Sequence, residues 1–116
     1  MLKNFVLMAF VLLYSSSGFS DSDGLGYEYK EVGATGKSHF IHFDAEKLIS
    51  RDDFSRVGKF ICRKSNMCIV MFWDDMALVP KFMPMTDAQV NAKKAHYLIN
   101  RRTKYEMLNL CSDDGC

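Results

Sequence analysis

Met67 to Trp73 (MCIVMFW) is an uninterrupted apolar run closed by Asp74-Asp75. It constrains the fold more than any other stretch. It is too short for a helix of its own and rich in β-branched and aromatic residues. That composition predicts a central strand covered on both faces. The rest of the chain must therefore supply a layer for each side of it.

The flanking segments supply strands and helices in turn. Tyr27 to Val32 (YEYKEV) and Ser38 to Phe43 (SHFIHF) alternate as half-buried strands do, with a loop expected at Gly33–Gly36. Ser50 is a favoured N-cap, and Asp52 and Asp53 follow where the helix dipole favours acids. Phe54, Val57, Gly58 and Ile61 then form an apolar stripe, opposed by Asp52, Arg56, Lys59 and Arg63. A helix from Ser50 to about Lys64 is predicted. Gly58 on its buried stripe costs about 1 kcal/mol relative to Ala, which points to close approach of another backbone. Thr86-x-x-Gln89 is a capping-box pattern. It opens a second predicted helix, with Ala88, Ala92, Ala95 and Ile99 on one face and a C-terminal turn at 100–103. Tyr105 to Cys111 alternates as a last strand.

The predicted fold class is α+β. A small mixed sheet of about four strands in β-β-α-β-α-β order carries two helices packed on it, and disulfides stabilise it. The expected core is Phe54, Val57, Ile61, Ile69, Val70, Phe72, Ala92, Ala95 and Ile99. No internal repeat or low-complexity tract is present.

The N-terminus reads as an address. Met1-Leu2-Lys3-Asn4 carries one positive charge, Phe5 to Tyr14 is continuously apolar, and Ser15 to Ser20 is small and polar. This is the three-part pattern of a secretory signal peptide, with cleavage expected before Asp21. The apolar run is well short of the roughly 20 residues that span a bilayer. The expected organisation is a signal peptide at 1–20, a flexible leader at 21–26 and one small α+β domain at 27–116, exported to a periplasm or the outside.

Export sets the chemistry of the cysteines. Cys62, Cys68, Cys111 and Cys116 all follow the signal segment, and in an oxidising compartment they read as two disulfides. Three pairings are open: the two local ones together, or either crosswise arrangement. The C-x2-C pairs of a zinc site and a CxxC redox motif are both absent.

The charge balance argues against nucleic acid. The whole chain has a formal net charge of +1, and phosphate-backbone binding needs a clustered positive surface. The one candidate group is Lys93, Lys94, Arg101, Arg102 and Lys104, which suits the C-terminal end of the second predicted helix. No stable membrane insertion is expected once the signal is removed.

Catalytic constellations are sparse. G-x-S-x-G, P-loop, H-E-x-x-H and G-x-G-x-x-G patterns are absent. His39 and His42, three apart on a strand, point to opposite faces, so no metal site and no cofactor are expected. His39, His42 or His96 with Asp44, Asp74 or Asp75 would be the acid–base set of a small secreted hydrolase, provided that one His and one carboxylate converge in a pocket.

The segment from Met76 to Met85 (MALVPKFMPM) suggests another role. Met76, Leu78, Val79, Phe82, Met83 and Met85 share a loop with Pro80 and Pro84. Flexible Met side chains suit adaptable binding surfaces. The same residues would equally serve to cap the core of a small domain. The expectation is a protein-binding module of inhibitor or immunity type without a catalytic site, its partner another exported or envelope protein. A small hydrolase and an envelope-associated structural protein are the alternatives.

Overall fold

The computed structural model describes residues 28–48, 50–111 and 116. The expected signal segment and leader lie outside the described residues. The elements are β1 (Tyr29–Thr35), β2 (Ser38–Phe43), α1 (Arg51–Ile61), β3 (Met67–Trp73), a 3-10 turn (Met76–Leu78), α2 (Asp87–Ala92), β4 (Ala95–Asn100) and β5 (Tyr105–Leu110). The five strands form one sheet in sequence order. β2 and β3 are parallel, and the other three neighbouring pairs are antiparallel. The parallel pair follows from α1, which carries the chain back along the sheet between them.

The fold is α+β, as the residue patterns predict, but with five strands rather than four. The predicted second helix stops at Ala92, and Ala95–Asn100 is a strand paired on both sides. Ala95, Tyr97 and Ile99 join the α1-side core while His96 and Leu98 alternate with them. A helical face of Ala88, Ala92, Ala95 and Ile99 therefore does not exist, and Ala88 is exposed. Pairing to two neighbours overrides the helical reading of a segment whose Tyr97, Leu98 and Ile99 also suit a strand.

Local chemistry explains the remaining elements. Ser50 Oγ accepts from the Asp53 N–H at 3.2 Å and Asp53 Oδ2 accepts from the Ser50 N–H at 3.1 Å, a reciprocal cap that starts α1. β1 runs on through the expected loop to Thr35, with a register shift between Glu31 and Gly33. The turn into β2 is the two-residue pair Gly36-Lys37, and Gly36 takes φ +60, a left-handed conformation that suits glycine.

β3 is central and covered on both faces, as its composition predicts. On one face α1 closes a core of Ile41, Phe43, Leu48, Phe54, Val57, Val70, Phe72, Ala95 and Tyr97. Phe54 lies edge-on to Phe43 and Phe72 with ring centres 5.0 Å apart in both cases. Gly58 is needed here because a Cβ would run into the ring of Tyr97. The close neighbour is thus an aromatic side chain rather than a backbone. On the other face Phe40, Met71, Trp73 and Val79 form a second core. Its lid is the segment after the 3-10 turn, with α2 at the margin, so only α1 is a full helical layer. Of the expected core, Phe54, Val57, Val70, Phe72 and Ala95 are buried. Ile61, Ile69, Ala92 and Ile99 are half-buried and pack at the edges of the two clusters.

Cys62 is bonded to Cys68 and Cys111 to Cys116. Of the three pairings open to the sequence, the local one is present. The first bridge ties the end of α1 to the start of β3.

Candidate functional site

The three histidines occupy separate places on the sheet. His39, on the α1 side, faces Glu31 of β1, with Nδ1 3.2 Å from Oε1. His42 points to the opposite face and lines a cleft of about 300 Å³ with Glu28, Lys30, Asp44 and Met76. Among the described residues no hydrogen bond joins His42 to either carboxylate. Asp44 Oδ1 accepts from the Glu46 N–H (2.9 Å), and Glu28 pairs with Lys47 Nζ (2.7 Å). His96 shares a sheet face with His42, but its strand β4 is separated from β2 by β3. Asp74 and Asp75 are exposed at the end of β3, and Asp75 caps the 3-10 turn by accepting from the Ala77 N–H at 3.0 Å. Among the described residues no three His, Cys, Asp or Glu gather as metal ligands. The pairing of a His with Asp44, Asp74 or Asp75 that hydrolysis needs is not brought to hydrogen-bond distance; among the described residues the one His–carboxylate contact is His39–Glu31.

A buried amine sits where the sequence suggests a solvated helix end. Lys93 caps α2 and is 8% exposed. Its Nζ lies 3.0 Å from His96 Nδ1 and 3.9 Å from Met71 Sδ. A protonated Lys93 amine donating to Nδ1 would require a neutral ring with its proton on Nε2. Burial pushes the Lys93 amine below its ordinary pKa. Burial, and then the charge of Lys93, push His96 below its own. Nothing in the sequence marks this pair, because reading 86–99 as one helix puts Lys93 among solvated cations.

The pair makes stability depend on pH. Each folded-state pKa lies below its unfolded value, so the unfolded chain binds the extra proton in the window between them. Stability therefore rises with pH through each window, up to 6.5 for His96 and 10.5 for Lys93. Urea unfolding should show a more stable protein at about pH 7 than at about pH 5. His96→Gln should narrow that gap, and an unchanged gap would remove His96 as its cause.

The Met/Pro loop divides into a base and a tip. Val79 is 5% exposed and Pro80 is fully buried, both beneath the surface. Leu78 and Met85 are half-buried and pack on the second core. Phe82 is 69% exposed, and Met76 and Met83 are also turned outward. The backbone of Lys81 presses so closely on β1 that a Cβ at Gly33 would collide with it. At the far end, Trp73 Nε1 donates to the Gln89 carbonyl at 2.7 Å. Between β1 and the loop lies a recess of about 480 Å³ lined by Lys30, Glu31, Val32, Met76, Ala77, Val79 and Lys81. Of the six loop residues expected to bind, Val79 is committed to the core, while Met76, Phe82 and Met83 are presented to solvent. Burial of Val79 and Pro80 fixes the base, while the tip stays exposed.

No family model matches the chain, and neither does any curated protein or solved structure, so a function for this surface must be argued from its own residues.

Proposed function

We propose that the chain is a small exported protein-binding module that holds another exported or envelope protein at the tip of the loop, through Phe82, Met83 and Met76. The observation that carries this reading is Phe82. A large aromatic side chain is 69% exposed on a loop whose base is buried and clamped against two strands. A fixed loop loses little freedom on binding, so its aromatic tip can act as an anchor. The apolar N-terminal run and the complete pairing of the cysteines support export.

Two substitutions test the reading. Phe82→Ala should leave the melting curve within about 0.5 kcal/mol of the parent, as surface truncations do. It should weaken capture of the partner from envelope extract by about 1–4 kcal/mol. Val79→Ala should cost about 2 kcal/mol of stability through lost burial. If Phe82→Ala lowers stability as much as Val79→Ala does, Phe82 caps the core and the loop is not a binding tip.

A further inference from the structure

We propose that one end of the sheet, built by the Arg101–Lys104 turn and its neighbours, is a docking surface for an anionic phospholipid bilayer. The register of the strands collects cations there from three separate places. Asn100 pairs with both Met67 and Tyr105, which puts the β4–β5 turn beside the start of β3. The Arg101 N–H donates to the Asn66 carbonyl at 2.7 Å, and its guanidinium reaches the carbonyls of Ser65 and Cys62 at the end of α1. The β1–β2 turn ends at the same level, where the Ile69 N–H donates to the Lys37 carbonyl at 2.9 Å. Lys37, Arg63, Lys64, Arg101, Arg102 and Lys104 are thus gathered at one end, and all six are exposed. In sequence they look like three unrelated fragments.

Two of these cations are held by local structure: Arg101 as above, and Arg63, which donates to the Phe60 carbonyl at 2.7 Å and lies over the Phe60 ring. Among the described residues the side chains of Lys37, Lys64, Arg102 and Lys104 make no ion pair or hydrogen bond. The carboxylate just inside β5, Glu106, already accepts from Tyr97 Oη at 2.6 Å and faces Lys59 Nζ at 3.7 Å. At the opposite end of the sheet the acids are used differently: Asp44, Asp53 and Asp75 each accept from backbone N–H groups of their own turns and caps. Local structure therefore accounts for those three acids and for Arg63 and Arg101, and leaves Lys37, Lys64, Arg102 and Lys104 without a local role. Lys104 adds a separate observation. It takes φ 64, a left-handed conformation that glycine or asparagine adopts more cheaply, yet a lysine stands there.

The surroundings favour a bilayer over an acidic protein. Tyr105 is 54% exposed beside these cations, and Leu98 and Met107 are half-buried next to it on the sheet face that the loop leaves uncovered. Basic side chains around an amphipathic aromatic ring suit a headgroup layer. A shallow cleft of about 300 Å³ lined by Ile99, Asn100, Arg101, Lys104, Tyr105 and Glu106 offers a phosphate two cations, a phenol and an amide, and its one carboxylate, Glu106, is already engaged by Tyr97 and Lys59.

The test is co-sedimentation of the purified protein with vesicles of phosphatidylcholine alone, and with vesicles in which about a third is phosphatidylglycerol. Binding should appear with the anionic vesicles and fall steeply as ionic strength rises from about 0.1 to about 1 M. Arg102→Gln and Lys104→Gly should each weaken it about fivefold, the factor for one cation near an anionic surface. Lys104→Gly also relieves the left-handed backbone, so it should melt no lower than the parent, which separates lost binding from lost fold. Parent and variants share the same N-terminus, so any contribution it makes cancels between them. Equal binding to neutral vesicles, or variants that bind like the parent, would overturn the proposal. So would salt-sensitive binding to polyglutamate without binding to vesicles, which would assign the surface to an acidic protein.

Discussion

Trp73→Ala should lower the stability of the domain by about 3–5 kcal/mol, the largest loss expected of any single substitution. The side chain is fully buried, stands edge-on to Phe40 with ring centres 6.2 Å apart, and donates from Nε1 to the Gln89 carbonyl. Truncation leaves a cavity under the loop and takes the donor from a carbonyl in α2. Domains of this size hold roughly 5–15 kcal/mol in total, so a large part of the margin goes at once. At about 4–8 °C per kcal/mol the melting midpoint should fall by roughly 12–40 °C. Trp73→Phe keeps most of the volume and loses the donor, so it should cost about 1–2 kcal/mol. The exposed Arg56 provides the contrast: Arg56→Ala should stay within about 0.5 kcal/mol of the parent. A Trp73→Ala protein that melts within a few degrees of the parent would mean that the loop does not close on β3.

Removing the Cys62–Cys68 bridge by the double substitution to alanine should cost about 2–5 kcal/mol, the range for small disulfide-bonded domains. Removing Cys111–Cys116 in the same way should cost less. The loops are of similar length, separations of 6 and 5 residues, so the restriction of the unfolded chain is nearly equal. The difference lies in the folded state. Cys62 and Cys68 are 0% and 1% exposed and join α1 to the central strand. Cys111 is half-buried and follows the last strand. Denaturant unfolding of the two double variants checks the order. If the C-terminal pair proves as costly as the first, the burial argument fails and chain restriction alone governs both.

Local chemistry made parts of the fold legible. The cap at Ser50, the apolar stripe of α1 and the continuous run of β3 depend on residues a few positions apart, and all are found where their spacing puts them. The alternation of Tyr105 to Leu110 was equally readable. The Ala95–Asn100 strand reads as helix in the sequence because alanines spaced by three and four positions imitate a helix face. The competing alternation of Ala95, Tyr97 and Ile99 decides the matter only when two partner strands stand beside it.

The candidate sites divide in the same way. Composition alone picked out the Met/Pro loop as the segment with unusual apolar content, and Phe82 within it. It could not separate Val79 from Phe82, since a buried base and an exposed tip differ only in what lies beneath them. Lys93 against His96, Gly58 against the Tyr97 ring, and Gly33 against Lys81 are contacts between distant strands, helices and loops. The basic end is likewise made by register, from turns far apart along the chain. By itself the sequence determined the capped helix α1, the central strand β3 and an even set of cysteines, because short-range sterics, hydrogen bonding and hydrophobic periodicity act within a turn or two. Only the tertiary structure decided the fifth strand, the choice of local disulfides and which charges share an end, because those depend on which strands pair and in what register.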